Sequence, residues 1–568
     1  MTVDMPVIIF YNFKIRKYMR GAVHMNKFRK IAALAAALSM TAAAFTGCAE
    51  KEGADVNTTT ETAAETVAAE QKEALKIIYD EIKTEFGTVD LSDYPLTASD
   101  VPVDYEAVYE AESAEMAGSA AAYANDSASG GSAVNGVNHG EKDSLTFVVN
   151  AEYTGFYDLN FICKSGDDAK RENYVNLDGE KIGSIICRNN GVFGDSYLKN
   201  IYLTAGEHKI AIIPSWGYTD YDCLKITANT SITADTYKVT APLSNPNADD
   251  HTKRLYKFLC DIYGKYSLTG QYADNGRTST EFKRIYKQTG SHFAVLGMDM
   301  MNYNSGSVAH GSDSNTVEFA YDFYTNGGGI VTLCWHWHSP VEYQVNDENN
   351  PWYKSFYKEA STLDLDKIMN GEDEHGYELL MQDIDLISEQ LARLRDAGVP
   401  VLWRPLHEAS GGWFWWGNCK PESYIKLWNA MYDKMTNEHG LTNLIWVWNA
   451  QDPEWYPGDE TVDIISTDIY AGNLVDSSFS GSFAQLAEVP GENKLVALSE
   501  NGCVMDPDKV MDTNSRWLYW GTWSDPFTLK NGFLNDEYTS LETLDKAYQS
   551  DRTLTLEELP DLKNYPLE

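Results

Sequence analysis

The chain has 568 residues, too many for one domain; at roughly 100–250 residues per domain, two folded domains plus tails are expected. Lys and Arg total 45 against 84 Asp and Glu, and the net charge of −39 repels phosphate backbones and excludes nucleic acid as a natural partner. An apolar share of 43% is ordinary for a globular protein; core packing accounts for most of the 15 Trp and 35 Tyr, but Trp at loops or strand ends can stack on sugar rings, so their positions matter.

From Met25 the sequence runs MNKFRK, IAALAAALSMTAAAF, TGC, a basic start, a short apolar stretch and a small-residue cleavage region. This is the pattern of an export signal, and the apolar run is too short for a membrane span. Cys48 after Gly47 resembles a bacterial lipobox, although Phe45 and Thr46 depart from its usual residues. The expectation is a lipid-anchored surface protein, with plain secretion as the alternative; residues 1–24 precede this signal as an extended start. Residues 49–102 are rich in Thr, Ala and Glu and are read as a spacer, helical over ETVAAEQKEALKIIYDEIKTEF.

Residues 103–230 change to short alternating runs: SLTFVVN, YDLNFIC, YVNLDG, SIICRNN, NIYLTAG, HKIAIIP and CLKITA. Turn residues separate them, which predicts an all-β sandwich. The Gly/Ser/Ala-rich AGSAAAYANDSASGGSAVNGVNHG is expected to be a mobile loop. YEAVYEAESAEMAG, TFVVNAEYTGFYDLNF and YDCLKI together resemble carbohydrate-binding module family 35. That resemblance implies a structural calcium held by Glu110, Glu112 and Asp222, and oxygen-rich ligands suit this ion. It also implies sugar contacts from loop aromatics, for which Trp216 and Tyr218 are the candidates. Residues 231–250 are polar, carry two Pro and are read as a linker.

From residue 251 to 568 helical and strand patterns alternate. Eight strands are predicted: SLTGQY, FAVLGMDM, GIVTLCWHW, VPVLWRPLHE, NLIWVWNA, DIISTDIY, KLVALSENG and WLYWGTWS. Helices such as GYELLMQDIDLISEQLARLRDAG and PESYIKLWNAMYDKMTNEHG lie between them. The fold class is therefore α/β, a (β/α)8 barrel behind an N-terminal β-sandwich.

In such a barrel the active site lies at the C-terminal strand ends. Those of strands 3 to 8 carry Trp335, His336, Trp337 and His338; His407 and Glu408; Trp446 and Trp448; Asp468 and Tyr470; Glu500; Trp520 and Trp523. Ionisable and aromatic groups at every end point to a carbohydrate cleft. Breaking a glycosidic bond needs one carboxyl group to protonate the leaving oxygen and a second to act at the anomeric carbon. Glu408 and Glu500, on strands that face each other across the mouth, are the pair. Zinc chemistry of the HExxH kind is excluded because position 411 is Gly, and no GxSxG elbow or phosphate-binding loop occurs in fitting context. Seven Cys besides Cys48 form no CxxC and are expected to be buried thiols.

WRPLHEASGGWFWWG, YPGDETVDIISTDIYAG and ALSENG closely resemble glycoside hydrolase family 26, over roughly residues 250–530. The resemblance implies a retaining β-mannanase that needs no catalytic cofactor, with Glu408 as acid/base and Glu500 as nucleophile. It implies substrate-binding roles for His336, His407, Trp413, Asp463, Tyr470 and Trp523, with Trp520 as the alternative to Trp523. The implied partner is a mannan, galactomannan or glucomannan, acted on by a monomer whose only membrane contact is the lipid anchor. A β-glucanase, β-xylanase or exo-mannanase of the same family is the alternative, followed by a non-catalytic capture protein.

Overall fold

The structure is a computed structural model that describes Leu75 and residues 81–567, apart from 139, 141, 168 and 169. The export signal, Cys48 and most of the proposed spacer helix lie outside the described residues. Among the described residues no helix is long and apolar enough to cross a membrane.

The first domain is an antiparallel sandwich of eleven strands: β1 Glu106–Glu110, β2 Glu115–Ala117, β3 Ala121–Ala124, β4 Ser132–Val137, β5 Ser144–Ala151, β6 Gly155–Ser165, β7 Arg171–Leu177, β8 Glu180–Cys187, β9 Tyr197–Leu203, β10 Gly206–Pro214 and β11 Thr219–Ala228. One sheet runs β3-β4-β11-β6-β9, with β1 on β11, and the other runs β2-β5-β10-β7-β8. Period-2 patterning sets which face is buried: along β5, Leu145, Phe147, Val149 and Ala151 enter the core and their neighbours face outward. All seven runs predicted from alternation are strands. The Gly/Ser/Ala-rich segment is a correction. It is not a loop but supplies β3 and β4, and Ala133, Val134 and Val137 in it are fully buried. Small side chains hid the alternation, while pairing with β11 fixed the strand.

The second domain is a closed parallel barrel: β13 Gly270–Tyr272, β14 Val295–Asp299, β15 Ile330–Cys334, β16 Val401–Arg404, β17 Leu444–Trp448, β18 Ile464–Ile469, β19 Leu495–Asn501 and β20 Trp520–Thr522. A short β12, Ser267–Leu268, pairs with Thr553–Leu554 beneath it. The eight strands are those expected from sequence. They are buried on both faces, so several run apolar without alternation, as in β17 LIWVW, and polar residues gather toward the ends that form the mouth, as in β18 IISTDI and β19 LVALSEN. Helix Glu374–Asp396 is capped by the Asp373 carboxylate on Gly376 N and carries Arg393 and Arg395 in its last turn. Helix Pro421–Asp433 starts on proline, whose missing N–H costs nothing in the first turn.

Two segments expected to be loose are packed. Residues 81–102 are not a spacer and 81–86 are not helical. They form a strap: Lys83 N donates to Asn326 O, Gly87 N to Leu559 O and Arg516 to the carbonyls of Tyr94 and Pro95. The linker is held as well, with Ser244 N donating to Asp463 Oδ1 and Asn245 Nδ2 to Leu441 O. The sandwich docks on the sixth βα unit of the barrel, chiefly through β9 against helix Ser480–Ala487. Gly481 permits this approach, because a Cβ there would lie 2.6 Å from Leu198 Cδ1 and 3.2 Å from Lys199 O.

Candidate active site

The site forms where the barrel strands end. Beyond β16 the chain turns sharply: Leu406 and Glu408 both adopt left-handed backbone, with φ of 50° and 53°. Such conformations cost non-glycine residues energy and persist only where surroundings impose them. Here Asn449 imposes it, accepting the Glu408 N–H at its backbone oxygen (2.7 Å) and at Oδ1 (3.1 Å). The turn presents the Glu408 carboxyl to the cleft, where Trp413 Nε1 donates to Oε2 at 3.1 Å. Gly411 makes that reach possible, since a Cβ there would sit 2.0 Å from the Trp413 ring. The residue that breaks the zinc motif is thus required by the tryptophan.

Opposite, Glu500 is 4% exposed near the end of β19. Arg404 Nη2 donates to its Oε1 at 2.5 Å and Tyr470 OH to its Oε2 at 2.8 Å. Arg404 is fully buried and also donates through Nη1 to Asp468 Oδ2 at 2.8 Å and through Nη2 to Tyr272 OH at 3.1 Å. The β18–β19 register shifts between Thr467 and Asp468, a bulge that sets Asp468 against Glu500. Bulges beside active sites commonly re-aim side chains in this way. Asp468 Oδ1 accepts from Ser499 Oγ (2.9 Å) and Asn449 Nδ2 (3.0 Å), so the residue that holds Glu408 also holds Asp468. One carboxylate oxygen each from Glu408, Asp468 and Glu500 lies within 4.8 Å of the other two.

Three carboxyls around one guanidinium cannot all be comfortably ionised. Burial, then the charges of Asp468 and Glu500, push Glu408 well above the usual carboxylate range. Burial pushes Glu500 up to about 7, against the pull of the Arg404 guanidinium and the Tyr470 donor. Glu500 has two strong donors and Glu408 only the Trp413 N–H, so the proton belongs on Glu408 and the negative charge on Glu500.

His336 Nδ1 pairs with Asp299 Oδ2 at 2.6 Å, and His336 Nε2 meets His407 Nε2 at 3.2 Å. Although buried, Asp299 is held below its usual range by His336 and backbone donors, so it is ionised and fixes the His336 tautomer. His407 is driven far down by burial and the nearby Arg404 charge, and is neutral. Trp523 packs tilted against Tyr272 at 4.7 Å and meets His336 at 6.0 Å, whereas Trp520 is 2% exposed in the barrel wall; Trp523 is the cleft aromatic of the two.

Residues 244–557 match glycosyl hydrolase family 26 and residues 107–229 match the family 35 carbohydrate binding module. The chain belongs to glycosyl hydrolase family 26. Among family relatives, a mannan endo-1,4-β-mannosidase of Thermothelomyces thermophilus is 37% identical over 79% of this chain and 90% of its own. Mannan endo-1,4-β-mannosidase B of Piromyces is 32% identical over 74% of this chain and 71% of its own. The crystal structure of Podospora anserina GH26-CBM35 β-(1,4)-mannanase, 34% identical, covers 81% of this chain and all (100%) of that one, with a TM-score of 0.56.

Within this family 26 barrel one expected site residue falls elsewhere. Asp463 is not in the cleft. It precedes β18, about 16 Å along the strand from Asp468, and its carboxylate accepts from Trp446 N and from Ser244 N and Oγ. Its burial serves the linker at the opposite end. Asp468 takes the place beside Tyr470, and side-chain parity in IISTDIY, which puts Asp468 and Tyr470 on one face, was the signal. Several strand-end aromatics are also not sugar surfaces: Trp335, Trp337, Trp446, Trp448, Trp415 and Trp416 are all 1% exposed or less. His338 is buried against Ser355 Oγ at 3.2 Å, and burial lowers it to about 3. Arg404, Asn449, Asp299 and Tyr272 were missed; a lone arginine inside the apolar VLWR strand was the one legible hint.

In the sandwich, Ser129 Oγ donates to Glu110 Oε2 (2.7 Å) and Asp222 Oδ1 (2.9 Å). Glu112 Oε2 is buried without a hydrogen-bond partner, and its Oε1 approaches the Gly130 turn that Glu110 also faces. Glu110 and Asp222 come together beside Cys223, their ligand atoms within 4.8 Å of one another, and Glu112 stands across the Gly130 turn with an orphaned oxygen; the carboxylate oxygens are of the kind that suits calcium, although a thiol is not. Trp216 and Tyr218 are 56% and 51% exposed in the turn between β10 and β11.

Proposed function

We propose that the chain is a retaining endo-β-1,4-mannanase with Glu408 as acid/base and Glu500 as nucleophile. The observation that carries this reading is the facing of these two carboxyls at the barrel mouth, oxygen to oxygen within 4.8 Å. Such closeness leaves no room for a water between carboxylate and anomeric carbon; carboxyl groups about 5–5.5 Å apart belong to the retaining mechanism. The curated relatives, named as mannan endo-1,4-β-mannosidases, support mannan and internal cleavage.

Glu500, ionised by its ion pair with Arg404, attacks the anomeric carbon as Glu408 gives its proton to the leaving oxygen. The C–O bond breaks, an ester to Glu500 forms, and the negative charge of Glu500 is consumed. Glu408, now a carboxylate, takes a proton from an incoming water, whose oxygen replaces the ester and restores the configuration. Arg404 and Tyr470 receive the carboxylate as Glu500 is released. Trp413 keeps Glu408 aimed through both halves, and His336, His407 and Trp523 line the sugar site.

The family 35 module would hold calcium through Glu110, Glu112 and Asp222 as a structural ion and contact polysaccharide through Trp216 and Tyr218. Lipidation at Cys48 would hold a monomeric enzyme at the cell surface. The decisive experiment is digestion of mannan, galactomannan, glucomannan, β-glucan and xylan, with product sizing and proton NMR of the first-formed anomer. A mixture of mannooligosaccharides with retained anomers is expected; an inverted first product or release of a single small sugar would overturn the reading.

A further inference from the structure

The sandwich reaches the barrel mouth at two loops, the one after β17 through Lys170 and Arg188 on Asp452 and the one after β18, and only the second carries a side chain that bonds Glu500. Tyr470, which donates to Glu500 Oε2 at 2.8 Å, is followed by Ala471 and Gly472, the first residues of the loop between β18 and helix Ser480–Ala487. The turn from β7 to β8 of the sandwich lies on this loop. Lys181 Nζ donates to Ala471 O at 2.7 Å, with its ammonium 3.3 Å from the centroid of the Tyr174 ring. Lys509 Nζ then bridges Glu180 Oε2 of the sandwich and Asp476 Oδ1 of the loop, each at 2.8 Å. On its other side the loop is held by the barrel, through Cys503 Sγ donating to Gly472 O at 2.8 Å and Leu474 N to Tyr538 O at 2.8 Å. The carbonyl next to Tyr470 is therefore fixed by the other domain.

We propose that Lys181 is a positioning residue of the hydrolase: the sandwich uses it to hold the Tyr470 turn so that the phenol stays on the nucleophile. A module that served only to find polysaccharide would need no such contact with the turn after β18. Its other polar contacts with the barrel, such as Lys199 with Glu488 on the far end of the same helix and Arg188 with Asp452 (2.9 Å), leave Ala471 untouched. Burial lowers the Lys181 ammonium to about 8, so at neutral pH it is still mostly charged, and its hydrogen bond to the carbonyl is charge-assisted and less screened than a surface contact. Losing it frees the carbonyl but leaves Cys503 and Tyr538 in place, so the loop should loosen rather than unfold.

This inference rests on the assignment of Glu500 as nucleophile, and the test separates the two. Full-length parent, Lys181→Met, Tyr470→Phe, the double variant and Lys199→Met are assayed on soluble mannan, and each rate is taken relative to its own background. Lys181→Met should lower kcat about three- to tenfold and leave KM within about twofold, the scale of coupling expected between neighbouring groups. In the Tyr470→Phe background the same substitution should change kcat less than about 1.5-fold, because the bond it protects is already gone. Lys181→Arg, which keeps a cationic donor, should recover most of the loss, and Lys199→Met should match the parent. If Lys181→Met is too poorly folded to assay, Tyr174→Leu replaces it in both backgrounds, with a smaller loss in the same direction. Equal losses with and without the Tyr470 hydroxyl, or parental kcat in Lys181→Met, would overturn the proposal. A parent without mannan hydrolysis would instead overturn the functional reading beneath it.

Discussion

Tyr470→Phe removes one oxygen from the site and little else. The ring keeps its place against Phe527, 4.9 Å away, and Arg404 still pairs with the other oxygen of Glu500. The lost hydrogen bond has a charged acceptor, and such bonds contribute about 1.5–3 kcal/mol. Because one pKa unit corresponds to about 1.4 kcal/mol, ionisation of Glu500 should move upward by about 1–2 units. The sign follows from the charge: Tyr470 donates to the carboxylate form, so it lowers the pKa that burial has raised to about 7. Tyr470 is 42% exposed, so water can replace part of the bond and the lower half of the range is expected. The assay is kcat/KM on soluble mannan across pH. The acidic limb, where Glu500 must lose its proton, should shift up by about one unit, giving about a tenfold deficit well below it and a smaller one above. An acidic limb that stays in place or moves down would refute the assignment of Tyr470 and Glu500 as donor and nucleophile.

Glu408→Ala should spare aryl glycosides with good leaving groups far more than polysaccharide, because only the latter needs the proton; azide should restore turnover of the aryl substrate, and equal loss on both would contradict the acid/base role. Chelation of the full-length protein should lower its melting temperature, by the equivalent of about 2.7 kcal/mol if calcium stood at a hundred times its dissociation constant, and Glu112→Gln should blunt that response. Gly481→Leu should weaken the docking of the two domains by about 1–3 kcal/mol through overpacking, seen as a lower urea midpoint; an unchanged midpoint would mean that β9 and the helix do not need this approach.

The eight barrel strands were legible because each is a short apolar run ending in polar or aromatic residues and separated from the next by helical periodicity. Glu408 and Glu500 could be paired as candidates because strand ends are where barrels keep their chemistry, and the structure brings their carboxylates together. The inward or outward sense of neighbouring aromatics was not, since strands buried on both faces carry no alternation to show it. Trp446 therefore looked like a cleft residue, although it packs on Trp428 of a surrounding helix at 5.5 Å. The strap was invisible for another reason. It is held mainly through its own backbone, as where Arg516 takes the carbonyls of Tyr94 and Pro95, and carbonyls leave no pattern in a sequence. Asp463 was misplaced because an acid at the beginning of a strand reads much like one at its end when only the neighbourhood of Tyr470 is weighed.

The left-handed turn at Leu406 and Glu408 has a consequence for how the two halves of the reaction are joined. In the proposed mechanism the same carboxyl releases a proton to one oxygen and later accepts one from another, and any drift between these events would be lost time. A relaxed backbone would let the side chain wander; this one is wound into a conformation that costs about 1–2 kcal/mol per residue and is latched by Asn449 at both of its oxygens. The tension is carried by the resting enzyme, so no rearrangement has to be waited for at each turnover. On that mechanism, stability is exchanged for punctuality at the one residue that acts twice.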